Sequence, residues 1–423
     1  AGRGIRRGRD ADDEADGGHV ARDFLRQSRM GIARNKSEPC FSIHVVVAIH
    51  TSTTLARQNG ETIDWNQSHR AHTPCGLDLG QVPAIDSRLQ RAEKEKRTLA
   101  ALDQASAAQR RLVQALRDPA CYPHPVGSIS IIETHISFIV LTGTFAYKIK
   151  KPVDFGFLDF TTLEKRRFFC QEELRLNARL APEIYLEVVP TGGTGEAPRV
   201  GEGAQAIEYA VKMLEFRQEA LADRVLARGE LTARHMDLLA ARVAEFHTRA
   251  QCSRESDGYG SPQAILACVA QNFSQIRTVP DHAAHRQVLD DIETWTQQEY
   301  RRLHPVFAER KREGRVRECH GDLHLGNIVF LDSEPWAFDC LEFSPDLRWI
   351  DVMNEVAFLV MDLRAANRPD LARRFLNTYL EFCGDYGGLR VLPYYLAYRA
   401  MVRGKIGLIR ARQPEPGDEG RGP

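Results

Sequence analysis

The feature that most limits what this chain can become is a change of hydrophobic period near residue 216. Upstream of it, apolar side chains fall in short β-rich runs: Ser128–Thr134, Ser137–Leu141 and Phe145–Ile149, then Tyr185–Pro190 and Ala206–Met213 around a Gly-rich turn at 192–203. Downstream, from Gln218, they recur at the spacing of amphipathic helices, broken by one β-like island at Ile328–Phe338. Thr142-Gly143-Thr144 reads as a tight turn, so the first three runs predict an antiparallel meander. One predicted helix, Leu163–Leu180, interrupts the strands. Another leads into them from about Ala107, through Leu112, Val113 and Leu116, to a stop at Asp118-Pro119. Strands gathered first and helices gathered after make an α+β arrangement, a small sheet-rich lobe followed by a larger helical one.

The chain divides, by expectation, into four stretches. Residues 1–105 show no sustained period and are expected to be a disordered or mis-assigned extension, to which no function is assigned. Residues 106–216 form the sheet-rich lobe with its leading helix, 217–412 the helical lobe, and 413–423 a tail or linker rich in Pro, Gly and charge. Lys plus Arg number 57 and Asp plus Glu 57, a balance that offers no footing for a general nucleic-acid or membrane-surface binder. No apolar run approaches the ~18 residues needed to cross a bilayer. The basic start (Arg3, Arg6, Arg7, Arg9) has no adjoining apolar stretch and is not read as a secretory signal. The nine cysteines include no CxxC pair, which argues against a disulfide framework or structural zinc; reduced thiols in a cytoplasm are expected.

The chemistry concentrates in Cys319-His320-Gly321-Asp322-Leu323-His324-Leu325-Gly326-Asn327, which runs straight into Ile328–Leu331. Phosphoryl transfer to a hydroxyl asks for a carboxylate to take the hydroxyl proton, an oxygen ligand nearby for Mg²⁺, and a second carboxylate for the metal that bridges the phosphates. His-x-Asp with an Asn five residues after the Asp puts a base and a metal ligand on one loop. Trp336-Ala337-Phe338-Asp339 supplies a carboxylate 17 positions after Asp322, room enough for a strand–turn–strand that returns Asp339 to the same site. Asn327 and Asp339 are hard oxygen ligands of the kind Mg²⁺ prefers.

His320-Gly-Asp322-Leu-His324-x-Gly-Asn327 with the downstream Asp339 resembles the aminoglycoside phosphotransferase family, related to choline kinases. Glu133-Thr-His-Ile-Ser, Ala146-Tyr-Lys-Ile-Lys-Lys-Pro152 and Phe155-Gly-Phe-Leu-Asp-Phe160 resemble a bacterial branch of it, many of whose members carry a further ATPase domain at the C-terminus. The resemblance covers roughly residues 107–412. It implies a bilobal protein-kinase-like fold, ATP and Mg²⁺ between the lobes, and transfer of the γ-phosphate to a hydroxyl of a small molecule, an aminoglycoside or a sugar-like acceptor. Residue by residue, it implies Asp322 as catalytic base, Asn327 and Asp339 as magnesium ligands, and His320 as the catalytic-loop residue that braces the loop. No GxxxxGK[ST] occurs, so the ATPase domain is expected to be absent from this chain, and an ATPase stands as a candidate partner.

A kinase also needs a cation on the α- and β-phosphates, held by a helix carboxylate. Lys148 and Lys150 lie two apart on a strand and share a face. Phe-Ala-Tyr-Lys148 best fits a strand ending in the phosphate lysine, with Lys150 the alternative. Glu172 and Glu173 are both available on the following helix; Glu173 is preferred because Leu176 and Leu180 place it beside the apolar stripe. The turn between the first two strands is Thr134-His135-Ile136-Ser137, not GxGxxG. If it covers ATP, hydroxyls and backbone N–H groups of Thr134 and Ser137 must do glycine's work. The adenine is expected to meet the backbone around Met213 and Leu214, where the last small-lobe strand ends. Asp339-Cys340-Leu341, in place of Asp-Phe-Gly, points away from a regulated protein kinase.

His320 and His324, at i and i+4, could be a zinc pair, but that motif needs a continuous helix and Gly321 and Gly326 favour a loop. Asp351 is expected to N-cap a helix over Val352–Leu363, His247 to be a core histidine, and Arg399, Arg403 and Lys405 to form a solvated basic face. Gly258–Pro262 and Asn272-Phe273 are candidate acceptor contacts. The second functional class is a nucleotide-binding but inactive kinase relative that regulates or partners an ATPase; the complete set Lys148, Glu173, Asp322, Asn327 and Asp339 speaks against it.

Overall fold

Alternation along the strands builds the smaller unit. In β2 (Ser137–Leu141) and β3 (Phe145–Lys150), Phe138, Val140, Tyr147 and Ile149 face one way and form a core with Val189, Val200 and Ala210. The helix over residues 102–115 (α1) covers that face with Leu112 and Val113, and Leu116 just beyond it joins them. The chain as described here is a computed structural model in which residues 102–155, 158–278 and 286–410 are placed. Nearly all of the expected 1–105 extension, and the 413–423 tail, lie outside the described residues.

The sheet has six strands in the order β1-β2-β3-β6-β4-β5, and its first three form the predicted antiparallel meander. β1 is Ser130–Glu133, β4 is Tyr185–Gly193 and β6 is Glu208–Leu214. One strand corrects the sequence reading: Pro198–Val200 (β5) pairs with the end of β4 inside the stretch expected to be a turn. Three residues are too few to show a period, but Val200 is 7% exposed and belongs to the core, which settles the pairing. The predicted helix at 163–180 is observed as α2, Leu163–Asn177. Of the described residues, contacts assign 102–174 and 186–215 to this unit, and 175–185 and those from 216 to 410 to the larger one.

The larger unit is helical. It holds α3 (Ala222–Ala227), α4 (Ala233–Arg249), α5 (Pro262–Thr278), α6 (Arg286–Arg312), α7 (Pro345–Arg348), α8 (Val352–Ala365), α9 (Pro369–Cys383) and α10 (Leu392–Arg410). Two short antiparallel ribbons interrupt them: β7 (Val316–Glu318) with β10 (Trp349–Asp351), and β8 (Ile328–Leu331) with β9 (Glu334–Ala337). The second ribbon is the β-like island of the sequence. Helix α8 is buried from Val352 through Leu363, and Asp351 caps it, accepting from the Met353 N–H at 2.9 Å. Arg310 grips the same carboxylate at 2.7 and 2.8 Å and also holds Asp385.

The expected basic face is not solvated. Arg399 is 5% exposed and donates to Asn354 Oδ1 at 2.7 Å; Lys405 is 3% exposed and donates to Asn272 Oδ1 and Gln275 Oε1 at 2.6 and 2.8 Å; Arg403 pairs with Asp362. Helix α10 packs against both α5 and α8, and that enclosure, which no period along one helix reveals, buries the cations. Asn272 gives its Oδ1 to Lys405, and Phe273 belongs to the core of this unit. Among the described residues no helix is long and apolar enough to cross a membrane.

Candidate active site

The site grows from the β8–β9 ribbon. Leu331 pairs with Glu334, leaving Asp332 and Ser333 as a two-residue turn with φ of 50° and 70°, the type I′ geometry that suits the strands' twist. At the open end Ile328 pairs with Ala337, and the Phe338 N–H donates to the Asn327 carbonyl at 3.0 Å. The ribbon therefore sets Asn327 and Asp339 at the same end. Asp339 itself has φ 64°, an unusual conformation for a residue other than glycine, with its N–H donating to the Tyr185 hydroxyl at 3.1 Å. The next N–H, of Cys340, donates to Asn177 Oδ1 at 2.8 Å.

Upstream, residues 319–327 are a loop held by buried acids. Glu355, on α8, accepts from the N–H groups of His320 (3.1 Å) and Gly321 (2.6 Å) and from His247 Nε2 (3.0 Å). Burial opposes the charge of Glu355, yet the His247 hydrogen bond and the other donors hold its carboxyl down at about 2. His247 is thus the expected core histidine, its other nitrogen bonded to the Tyr379 hydroxyl at 2.8 Å. One helical turn pair further along α8, Asp362 accepts from the Leu325 N–H at 3.1 Å. Gly321 has φ 88°, and a Cβ there would stand 2.9 Å from the Leu347 carbonyl oxygen, so no side chain fits.

The two loop histidines have fixed tautomers. The Asp322 N–H donates to His320 Nδ1 at 3.2 Å, so the His320 proton is on Nε2, which donates to the Phe338 carbonyl at 2.8 Å. Burial lowers the pKa of this ring and keeps it neutral. His320 consequently braces Asp322 against the end of β9. The Gly326 N–H likewise donates to His324 Nδ1 at 3.0 Å, which turns the Nε2–H of His324 toward Asp322 Oδ2 at 3.5 Å. With their Nδ1 atoms accepting backbone donors and their Nε2–H groups so directed, these histidines are not arranged as a zinc pair. A second group with ligand-type atoms within 4.8 Å of one another, His247, Cys319 and Glu355, is no better placed. Its carboxylate is bonded as described, and burial keeps the Cys319 thiol well above its ordinary pKa, so no thiolate is offered.

Asp322 is 1% exposed. Asn327 Nδ2 donates to its Oδ2 and to its backbone carbonyl, both at 3.0 Å. Within this loop two buried oxygens are left with no hydrogen-bond partner: Asp322 Oδ1 and Asn327 Oδ1. Buried polar atoms are rarely orphaned, and a water, an ion or a catalytic role accounts for those that are. An amide oxygen and a carboxylate oxygen are hard donors, so the site as built fits Mg²⁺ at Asn327 with Asp339 beside it on the ribbon. Burial works against the Asp322 charge, but the His324 Nε2–H, with the Arg399 guanidinium, holds the carboxyl below its usual range.

In the smaller unit, strand alternation sends Lys148 and Lys150 to the face opposite Tyr147 and Ile149. Both reach Glu173 on α2: Lys148 Nζ lies 2.7 Å from Oε1 and Lys150 Nζ 2.6 Å from Oε2. Glu173 is fully buried while Glu172 is not, and the two lysines, Lys148 foremost, keep its carboxyl well below the ordinary range despite burial. The choice between the lysines is not made by this geometry, because both bind the same carboxylate. The Thr134 hydroxyl donates to the Ser137 carbonyl at 2.8 Å and accepts from its N–H at 2.9 Å, so both residues close the β1–β2 turn. Met213 and Leu214 sit at the end of β6, opposite Ala146 and Phe145.

Sequence reasoning missed Glu355 and Asp362. A signal existed: two acids seven residues apart, on one face of an otherwise apolar helix, are costly to bury without partners. Tyr185 and Asn177 left no such trace.

The model of the phosphotransferase enzyme family, APH, matches residues 170–392. This chain belongs to that family. The matched span contains Glu173, Asp322, Asn327, Asp339 and the buried Glu355, while Lys148 and Lys150 precede it. Among curated relatives, uncharacterized proteins of Mycobacterium tuberculosis (strain H37Rv) and Mycobacterium bovis are each 34% identical over 306 residues, covering 71% of this chain and 59% of theirs. The chain thus spans about three-fifths of the length of those relatives. Two solved structures are similar to this family member at low identity. The ADP-bound aminoglycoside phosphotransferase APH(2'')-Ib shows 11% identity and a TM-score of 0.36, over 64% of this chain and 81% of that one. Aminoglycoside phosphotransferase APH(4)-Ia shows 13% and 0.37, over 68% and 95%.

Proposed function

We propose that this protein transfers the γ-phosphate of ATP, with Mg²⁺, to a hydroxyl group of a small molecule. The observation that carries the reading is the pair of buried oxygens without partners, Asp322 Oδ1 and Asn327 Oδ1. Asp322 Oδ1 takes the proton of the acceptor hydroxyl as the new O–P bond forms and the bridging O–P bond to the β-phosphate breaks, releasing ADP. Asn327 Nδ2 and the His324 Nε2–H hold Oδ2, which leaves Oδ1 the oxygen that faces the acceptor. A carboxyl with a lowered pKa is a weak base, which suits a loose transition state in which the hydroxyl proton leaves late. Asn327 and Asp339 would hold the metal, which when bound neutralises charge on the phosphate oxygens. Lys148 and Lys150, held by the buried carboxylate of Glu173, take the phosphates. A cytoplasmic setting suits such an enzyme, with its supply of ATP and with the described cysteines all free thiols.

The test is calorimetric titration of the protein with ATP, with and without Mg²⁺, on the parent and on Asp339→Ala. Magnesium-dependent binding that Asp339→Ala loses is the expected result. Equal binding by both proteins, with and without the metal, would remove Asp339 from the site.

A further inference from the structure

A pocket in the larger unit opens beside the catalytic loop, where α5, α7 and α10 meet. Two of its lining residues touch Gly321, the neighbour of Asp322: the Leu347 carbonyl lies 2.9 Å from where a Gly321 Cβ would stand, and Arg399 Nη1 donates to the Gly321 carbonyl at 3.1 Å. Its walls include two half-buried aromatic rings, Trp349 and Tyr398. Trp349 is held in place by stacking on Tyr259, with centroids 5.8 Å apart and planes 14° from parallel. Also lining it is Tyr395, 1% exposed, whose hydroxyl has no hydrogen-bond partner although a buried tyrosine normally finds one.

The charges here nearly cancel. Asp351 is committed to Arg310 at 2.7 and 2.8 Å, which leaves Arg399 as the cation and the exposed Asp346 as the anion at the rim. A polycation needs several carboxylates to replace its water. Here it would gain one exposed carboxylate, worth little, and would face a buried guanidinium. A sugar ring is different: its C–H face suits an aromatic wall, and its hydroxyls suit an unpartnered phenol, a guanidinium and a carboxylate.

Resting on the phosphotransferase reading above, we propose that this pocket takes the acceptor, and that the acceptor is a neutral sugar or sugar-like polyol, not a polycationic aminoglycoside. The experiment titrates the full chain with D-glucose, myo-inositol and kanamycin, following intrinsic fluorescence, and separately measures ADP release with ATP and Mg²⁺. Tyr395→Phe removes only an oxygen that bonds to nothing in the protein, so its melting temperature should match or exceed the parent's. Saturable binding of a neutral probe, weakened about tenfold by Tyr395→Phe as one lost hydrogen bond predicts, is the expected result. Binding of kanamycin alone, no binding of either neutral probe, or neutral binding indifferent to Tyr395→Phe overturns the proposal. Neutral binding that shows the Tyr395→Phe effect but no ADP release would leave the pocket assignment standing and sink the phosphotransferase reading. ADP release with kanamycin alone would do the reverse.

Discussion

Asp322 shows how much one residue's surroundings decide. A buried carboxylate that must accept a proton needs one oxygen held and one oxygen open, and Asn327 and His324 supply the holding. Asp322→Asn should lower turnover by roughly 10²- to 10⁴-fold, the usual worth of a positioned base, while ATP affinity measured by calorimetry stays near the parent's. Turnover at the parent's rate would take the base assignment away from Asp322. Asn327→Ala should raise the Mg²⁺ concentration for half-maximal turnover, because the orphaned oxygen goes with it. Lys405 makes a different point. Burial lowers its pKa to about 7, and its two partners are neutral amides. The folded state therefore binds fewer protons than the unfolded one between pH 7 and the ordinary lysine range, and stability from this group rises with pH across that window. Lys405→Met should stabilise the protein at neutral pH and flatten that rise in chemical denaturation curves.

At the scale of elements, the β8–β9 ribbon and the loop before it are where backbone conformation meets chemistry. Ser333 sits at φ 70° in a turn that glycine would occupy without strain. Ser333→Gly should raise stability by about 1 kcal/mol, with turnover unchanged, since the ribbon's register already places Asn327 and Asp339. Gly321 is the opposite case. Its φ of 88° and the Leu347 carbonyl 2.9 Å from its missing Cβ leave nowhere for a methyl group to go. Gly321→Ala should cost roughly 1–3 kcal/mol of stability, and turnover should fall further than the stability loss explains because Asp322 is the next residue. A fully active Gly321→Ala would show that the loop tolerates displacement. The helix α8 was expected from its apolar run and its Asp351 cap, and it formed as expected. Its buried acids are what connect it to the loop.

Across the larger unit, Glu355 joins α8, α4 and α9 to residues 320 and 321 through His247 and Tyr379. Its carboxyl is held at about 2, below its unfolded value, so the stability it contributes is present above pH 4.5 and is lost as pH falls toward 2. Denaturation midpoints across pH 2–5 should show this limb, and Glu355→Gln should shrink it. The same variant leaves a backbone donor of the loop poorly satisfied, a loss of about 1–3 kcal/mol at neutral pH. The parent and the variant showing the same acid limb would mean that other carboxyls carry it.

Much was determined by local pattern. Strand alternation made the meander and placed Lys148 and Lys150 on one face. Periodicity marked α2 and its Glu173, and the spacing of Asp322, Asn327 and Asp339 required a loop followed by a ribbon. These are short-range effects, in which a residue's neighbours along the chain are also its neighbours in space. Tertiary structure decided the rest. Strand β5 owes its pairing to a three-residue contact, the cations of α10 owe their burial to partners on α8 and α5, 41 to 133 residues away in sequence, and both lysines share one carboxylate. Which oxygens of Asp322 and Asn327 remain open, and which acids hold the loop, depends on hydrogen bonds between distant segments. Those follow from how buried polar groups find partners once the core has closed, and no period along the chain encodes them.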